Sequence, residues 1–107
     1  MMVSKGHNGW DLAALLDGVA GVPSLTVTGL ALDSRQVRPG DAFFAVQGTA
    51  SHGAAWVADA VATGAVAVLT DLDADDARFT GVPADVPVVT IGAGRERVGE
   101  IASRFYG

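Results

Sequence analysis

Residues 42–70, AFFAVQGTASHGAAWVADAVATGAVAVLT, decide the predicted fold. The segment opens with AFFAV (42–46), a run too continuously apolar to leave one face in water, as is typical of a strand covered on both sides. A loop of small and polar residues (48–53) follows, and then a helix over 54–63. AVAVLT (65–70) predicts a second buried strand. A strand, a helix and a strand in this order indicate parallel pairing through a right-handed crossover.

The flanking residues extend this pattern in both directions. Upstream, the sequence predicts a short helix over 11–17, one strand over 25–33 that bends at Gly29, and a Pro-Gly turn at 38–41. Downstream it predicts a strand over 86–91 and an amphipathic helix that begins at about Arg95. The predicted fold class is therefore α/β, a small single domain with a parallel or mixed sheet and crossover helices.

The two longer helices carry further expectations. One helical face carries four apolar residues that we expect to point into the core, namely Trp56, Val57, Ala60 and Val61. Glu100 and Arg104 are four residues apart, a spacing that predicts an ion pair on the outer face of the last helix.

Composition limits the class of partner. The chain has 107 residues, a formal net charge of −5 and no cysteine, which suits one domain without disulfides or thiol chemistry. It lacks the basic surface of nucleic-acid binders, a secretory signal and an apolar run of roughly 20 residues. We therefore expect a soluble, cytoplasmic domain with neither a nucleic acid nor a membrane as partner.

Two glycine-based phosphate motifs are excluded. The sole lysine is Lys5, so the chain has no G-x-x-x-x-G-K-[ST] loop. Gly92 and Gly94 lie between a predicted strand and a helix, but Arg97 occupies the third glycine position of a dinucleotide fingerprint. These glycines are interpreted as a tight strand-to-helix connection.

The acidic run after the second buried strand resembles a calcium loop only superficially. In a register that starts at Asp71, Asp76 replaces the turn glycine and Val82 replaces the closing glutamate. The sequence predicts a solvated, charged loop and no metal site.

Asp33, Ser34 and Arg35 follow the predicted strand 25–33 and leave two interpretations open. In one, Asp33 and Ser34 bond to their own backbone while Arg35 pairs with Asp33 or Asp41 to hold the turn. In the other, Ser34 faces the crevice at the strand ends, where α/β sheets bind ligands. No G-x-S-x-G surrounds Ser34, so it is not a nucleophile elbow.

The loop after AFFAV also contains ligand-binding chemistry. Thr49, Ser51 and His52 supply two hydroxyls and an imidazole, and Gly48 and Gly53 allow close approach of the backbone. His52 could act as a base or contact a phosphate, although no acidic partner for it is evident in the sequence.

Together these segments resemble a known family. The matching stretches are DSRQVRPGDAFFAVQGT (33–49), HGAAW (52–56) and AVATGAVAV (60–68). They are similar to the N-terminal domain of the Mur ligases, most closely to those that add the third stem-peptide residue to UDP-N-acetylmuramoyl-L-alanyl-D-glutamate. The final RFYG (104–107) resembles the passage of those enzymes into their central ATP-binding domain.

The resemblance implies which residues hold the UDP end of that substrate. Carried over by motif, the UDP contacts are Leu32, Ser34, Thr49, Ala50 and Ser51. The family often has aspartate where this chain has His52, so His52 and Gly53 are further candidates without an assigned contact. Arg35 and Asp41 match the motif and are interpreted as holding the strands and their turn.

The resemblance also implies a division of labour. Residues 1–24 would form an N-terminal extension with a short helix, and residues 25–107 a UDP-binding domain without catalytic residues, metal or cofactor. The resemblance implies a ligase of peptidoglycan synthesis, which serves cell-wall biogenesis, cell shape and cell division. Its ATP, its magnesium and its chemical steps would belong to central and C-terminal domains outside this chain. The alternatives are the D-Ala-D-Ala-adding Mur ligase, a non-enzymatic binding module and a plain structural or interaction domain.

Overall fold

The computed structural model describes residues 9–16, 18–19, 21–47, 52–92 and 95–107. Within these ranges the strands are β1 (Trp10–Asp11), β2 (Thr26–Val27), β3 (Gly29–Ala31), β4 (Asp41–Ala45), β5 (Ala67–Thr70) and β6 (Val88–Thr90). The α-helices are α1 (Leu12–Leu15), α2 (Val57–Thr63) and α3 (Arg95–Tyr106). Short 3-10 helices span Ser34–Gln36, Gly53–Trp56 and Ala77–Phe79.

Four strands form one parallel sheet in the order β3-β4-β5-β6. Phe43 of β4 lies opposite Val68 of β5, and Leu69 of β5 lies opposite Val89 of β6. The predicted α/β class and the parallel pairing of the strands are confirmed. None of the helices in the described ranges is long and apolar enough to cross a membrane.

The two faces of the sheet explain why AFFAV is apolar at every position. All five residues of β4 are buried, and successive side chains point to opposite faces. Phe44 packs in a cluster with Leu12 of α1 and Ile101 of α3. Phe43 packs in a second cluster with Val57 of α2. The sheet is therefore the middle layer of three.

The prediction of one bent strand over 25–33 is wrong, because the chain changes partners at Thr28, next to the predicted bend at Gly29. β2 pairs antiparallel with β1, whereas β3 pairs in parallel with β4. Between them the N–H of Thr28 donates to the carbonyl of Gly40 at 3.0 Å. Each short strand thus satisfies its backbone in a different sheet, which a hydrophobicity pattern alone does not distinguish.

The N-terminal segment belongs to the same core. Leu12, Leu15 and Leu16 are fully or almost fully buried against the sheet. The indole N–H of Trp10 donates to the carbonyl of Phe105 at 3.0 Å. The beginning of the described chain is thereby tied to the end of α3.

The predicted Glu100–Arg104 ion pair is wrong. Glu100 accepts instead from Arg97, with 2.8 Å between Oε1 and Nη1. Arg104 reaches across to α1 and donates from Nη1 to the carbonyl of Leu15 at 2.9 Å. The carbonyls at the end of α1 lack intrahelical partners, so they compete successfully for the guanidinium.

The helix predicted over 54–63 begins with a 3-10 turn, and this changes the position of Trp56. Val57 and Ala60 are buried as predicted, but the Trp56 side chain is 49% exposed. A 3-10 turn has three residues per turn rather than 3.6, so it rotates Trp56 away from the apolar stripe of α2. Gly64 ends α2 with a φ of +124°.

Candidate functional site

The carboxyl ends of four parallel strands meet at one edge of the sheet. The residues that follow these strands are Leu32 after β3, Val46 after β4, Asp71 after β5 and Ile91 after β6. Ligands of open α/β sheets bind at this edge. We refer to it as the carboxyl edge.

Leu32 and Ser34 lie at the carboxyl edge and are accessible. The Leu32 side chain is 62% exposed, which is unusual for a leucine directly after a buried strand residue. Ser34 is half-buried, and its hydroxyl makes no hydrogen bond to any other residue that the structure describes. An apolar side chain and a hydroxyl without a described partner therefore follow β3, at the positions where the family resemblance implies UDP contacts.

Arg35 holds the turn through Asp33, which decides between its two predicted partners. Its Nη2 lies 2.7 Å from Asp33 Oδ2 and its Nε lies 3.0 Å from Asp33 Oδ1. The same Oδ1 accepts the backbone N–H of Arg35 at 2.9 Å. The side-chain hydrogen bonds from Arg35, followed by this backbone bond, lower the pKa of Asp33 to about 2. Asp33 therefore remains an acceptor under all ordinary conditions.

Asp41 is structural. The residue is 7% exposed, and its Oδ2 accepts the backbone N–H of Arg38 at 3.0 Å. Its Oδ1 also occupies the space that a Cβ on Gly29 would need. The carboxylate thus closes the Pro-Gly turn against the start of β3, in agreement with the scaffolding role predicted for it.

His52 does have an acidic partner, contrary to what the sequence suggested. Its Nε2 lies 2.6 Å from Asp71 Oδ1, and its Nδ1 accepts the backbone N–H of Ala54 at 2.9 Å. Because Nδ1 accepts, the ring proton lies on Nε2 and is donated to Asp71. Both ring nitrogens are occupied, so His52 is not available as a general base in this arrangement.

The prediction of a solvated acidic loop is wrong for Asp71. Its side chain is only 15% exposed, and its Oδ2 also accepts the backbone N–H of Gln47 at 3.0 Å. The sequence did not indicate this role of Asp71, because the whole acidic run was interpreted as one solvated loop. The position of Asp71, directly after the buried strand predicted over 65–70, could have indicated that it lies close to the end of β4.

The rest of the acidic run is local in its contacts. Asp76 accepts the backbone N–H of Arg78 at 2.9 Å and pairs with the Arg78 side chain at 3.1 Å. The backbone bond is the main reason that its pKa lies below the ordinary value. No group of three potential metal ligands occurs in the described ranges of the chain.

Gly53 is required for packing. A Cβ on Gly53 would lie 2.9 Å from Val46 N and 3.1 Å from Phe44 O. Its N–H donates to the Val46 carbonyl at 2.8 Å. The chain after the loop therefore lies directly on the backbone of β4. The other predicted loop residues, Gly48, Thr49, Ala50 and Ser51, lie outside the described residues.

The connection after β6 agrees with its interpretation as a tight turn. Gly92 adopts a φ of +96°, a conformation that favours glycine. Arg97, at the third position of the rejected fingerprint, donates from Nε to the Ile91 carbonyl at 2.7 Å. Ala93 and Gly94 lie outside the described residues.

A cleft of about 630 Å³ lies elsewhere, along the free edge of β3. Its lining includes Gly29, Arg35, Arg38 and Tyr106, but neither Leu32 nor Ser34. Arg35 is already paired with Asp33, and the Asp41 carboxylate in the lining is bound to the turn. The carboxyl edge, rather than this cleft, combines the free hydroxyl with the apolar surface.

Asp71 makes the stability of the fold pH-dependent. Burial raises its pKa, but the hydrogen bonds from Gln47 and His52 outweigh burial and lower it overall. A lowered pKa contributes stability above the unfolded-state value of about 4 and loses it as the pH falls through the folded-state value. We expect Asp71→Asn to lower the free energy of unfolding by about 1–2 kcal/mol at pH 7.

The difference in the free energy of unfolding between wild type and Asp71→Asn should shrink below about pH 4, where the wild-type carboxylate is also neutralised. Urea unfolding of both proteins at a series of pH values between about 2 and 7 measures this difference. A difference that stayed constant down to about pH 2 would contradict the assignment.

Comparison with known families agrees with this arrangement. Residues 26–106 match the family described as "Mur ligase family, catalytic domain". The chain belongs to the Mur ligase family. The match includes both the turn held by Asp33 and Arg35 and the residues around His52.

Curated Mur ligases are similar over most of the chain. Three examples follow, and each is named UDP-N-acetylmuramoyl-L-alanyl-D-glutamate--2,6-diaminopimelate ligase. The Streptomyces avermitilis protein is 49% identical over 82 residues, which cover 76% of this chain and 15% of the relative. The Xylella fastidiosa (strain 9a5c) protein is 40% identical over 96 residues, which cover 90% of this chain and 19% of the relative. The Rhizobium meliloti protein is 41% identical over 104 residues, which cover 95% of this chain and 19% of the relative. This Mur ligase chain thus spans about one fifth of its relatives' length.

Solved structures agree on the fold. Crystal structure I of MurF from Acinetobacter baumannii matches with a TM-score of 0.67 and 22% identity, covering 90% of this chain and 21% of that one. A structure of UDP-N-acetylmuramoyl-L-alanyl-D-glutamate--2,6-diaminopimelate ligase matches with a TM-score of 0.62 and 24% identity. The match covers 91% of this chain and 19% of that one. At these identities the likeness shows that the Mur ligase fold is shared, and nothing about substrate.

Proposed function

We propose that this chain is the part of a Mur ligase that binds the UDP end of UDP-N-acetylmuramoyl-L-alanyl-D-glutamate during peptidoglycan synthesis. The observation that carries the proposal is the pair Leu32 and Ser34. An exposed leucine and a serine hydroxyl without a partner among the described residues lie together at the carboxyl end of β3. That is where an α/β sheet binds a ligand, and it is where the family resemblance places the UDP contacts.

The two side chains suit different parts of a uridine nucleotide. Leu32 offers an apolar surface to a flat base, and the Ser34 hydroxyl can donate or accept a hydrogen bond. Thr49, Ala50 and Ser51 remain predicted contacts from the adjacent loop. Such a site contributes binding energy and orientation far from the reacting carboxylate, and this lowers the entropic cost of the chemical step.

We propose that the chain itself neither hydrolyses ATP nor forms the amide bond. The support is in the sequence, since Lys5 is the sole lysine and no phosphate-binding loop is present. In the proposed whole enzyme, ATP and magnesium are bound by the central domain. The match covers only 19% of such a relative, which leaves room for such domains. The UDP-binding role lies within 25–107 of a cytoplasmic enzyme.

The amino acid that the whole enzyme adds is proposed to be 2,6-diaminopimelate. Relatives that are 40% and 49% identical carry this specificity in their names. The D-Ala-D-Ala-adding ligase is the second candidate, because its N-terminal domain resembles this chain in the D-S-R and P-G-D pattern of residues 33–35 and 39–41. No relative cited above carries that specificity in its name at 30% identity or more, so its support is weaker.

Binding of UDP by the purified chain tests the proposal. We expect UDP to shift the backbone amide resonances of Leu32, Ser34 and Thr49 in a ¹⁵N–¹H correlation spectrum. Ser34→Ala should weaken UDP binding about fivefold, the value of one neutral hydrogen bond of roughly 1 kcal/mol.

The matched control is Ser103→Ala, which removes an exposed hydroxyl on α3 and should leave UDP binding unchanged. ATP should be turned over by none of these proteins. A titration with UDP that left the amides of Leu32, Ser34 and Thr49 in place would favour a structural or interaction domain. Measurable ATP hydrolysis would refute the proposed division of labour.

A further inference from the structure

Asp71 ties together two segments that are separated in sequence. Its Oδ2 accepts the backbone N–H of Gln47 at 3.0 Å, and its Oδ1 accepts from His52 Nε2 at 2.6 Å. Gln47 and His52 also pair directly in an antiparallel bridge. One carboxylate at the end of β5 therefore fixes the chain just before residue 48 and just after residue 51.

In this clamp, consisting of Gln47, His52 and Asp71, the hydrogen bond between His52 and Asp71 is shielded from water. The side chains of His52 and Asp71 are 13% and 15% exposed, so water competes weakly for their hydrogen bond. Gly53 packs closely on the backbone of Val46 and Phe44, and its N–H donates to the Val46 carbonyl at 2.8 Å. The ring of His52 is fixed from its other side by the N–H of Ala54.

The His52 ring has no free nitrogen with which to act on a ligand. Both nitrogens of His52 and both carboxylate oxygens of Asp71 face protein partners. A general base or a phosphate contact at His52 would need one of its ring nitrogens, and the Asp71 carboxylate repels phosphate. No group of three potential metal ligands occurs in the part of the chain that the structure describes. Positioning is the role that remains for the pair.

We infer that Asp71 is a positioning residue for nucleotide binding at the carboxyl edge, acting through Gln47 and His52. The inference rests on the proposed function, because three of the predicted UDP contacts lie between the two clamped residues. It adds a residue on β5's carboxyl end that the motif resemblance does not include.

Electrostatics alone makes the opposite prediction, and this makes the inference testable. A carboxylate near the binding edge repels a nucleoside diphosphate, so its neutralisation should tighten binding if Asp71 had no positioning role. Asp71→Asn is nearly isosteric but offers one acceptor oxygen and one NH₂ donor. It cannot accept from both Gln47 N–H and His52 Nε2–H, so the clamp opens although a negative charge is lost.

Two further variants separate the contributions. Asp75→Asn removes an equal charge from an exposed side chain of the same acidic run and supplies the electrostatic baseline. His52→Asn keeps an oxygen that can accept the Ala54 N–H but is too short to reach Asp71. It therefore preserves the cap of the 3-10 helix and removes only the link to β5.

The experiment measures UDP dissociation constants for the four proteins by NMR titration, at a temperature where each spectrum shows a folded chain. We expect Asp71→Asn to weaken UDP binding roughly tenfold and His52→Asn to weaken it several-fold. Asp75→Asn should leave UDP affinity within about twofold of wild type, because exposed charges are screened. Long-range ¹H–¹⁵N correlations should show the proton of wild-type His52 on Nε2.

The outcomes separate the positioning role of Asp71 from the proposed UDP-binding function on which it rests. If wild-type protein fails to bind UDP, the proposed function falls and the inference falls with it. If wild type binds and Asp71→Asn binds equally or more tightly, the inference is overturned while the function stands. If Asp71→Asn does not fold, His52→Asn decides, and wild-type affinity in that variant overturns the inference.

Discussion

Replacing Phe44 by alanine is expected to lower the free energy of unfolding by about 3–5 kcal/mol, the usual cost of deleting a buried phenyl ring. Phe44 is 1% exposed and lies at the centre of the sheet, in the cluster formed with α1 and α3. Its neighbours Leu12 and Ile101 belong to elements far apart in sequence. The whole free energy of unfolding of such a domain is roughly 5–15 kcal/mol, so the variant should be marginally stable.

Urea unfolding followed by circular dichroism measures this loss. The matched control is Leu32→Ala, which removes an apolar side chain that is 62% exposed and should change stability by less than about 0.5 kcal/mol. A loss below about 1 kcal/mol for Phe44→Ala would contradict the packing of β4 against both helices.

Replacing Gly64 by alanine is expected to cost about 2–4 kcal/mol for a reason that involves no lost contact. Gly64 has a φ of +124°, in the region that L side chains rarely adopt. A Cβ there would also lie 2.6 Å from the Cα of Pro39. The turn at Pro39 would have to move to relieve this clash. The N–H of Gly40 donates to the Gly64 carbonyl at 3.0 Å and opposes that movement.

The control for Gly64→Ala is the same substitution at Gly99. That residue lies within α3, and a Cβ added to it would meet no other atom within 4 Å. Gly99→Ala should raise stability by about 0.5–1 kcal/mol, because alanine is the better helix former. Thermal unfolding of both variants compares them, and a neutral Gly64→Ala would show that the turn is loosely held.

Local patterns predicted most of the sheet. AFFAV, AVAVLT and VPVVTI were identified as strands within about two residues of their observed ends. Buried parallel strands are recognisable because both faces must be apolar, and the helices between them follow a period of 3.6 residues. The last helix was predicted from Arg95, where α3 begins.

Contacts between side chains distant in sequence were not predictable in the same way. Arg104 had a suitable partner four residues away in Glu100 and instead donates to Leu15, 89 positions earlier. Asp71 looked like one member of an acidic run and instead bonds to His52, 19 positions earlier. In both cases the partner is set by which elements pack side by side, and spacing along the chain does not encode that.

The sequence by itself determined the class of fold, the parallel strands and the placement of Leu32 and Ser34 at a strand end, because periodicity and turn chemistry are local properties. Tertiary structure decided where the chain leaves one sheet for another at Thr28. It also decided that His52 is bound on both ring nitrogens. The hydrogen bond from His52 to Asp71 forms only when β4 and β5 lie adjacent, since its donor and acceptor come from different segments.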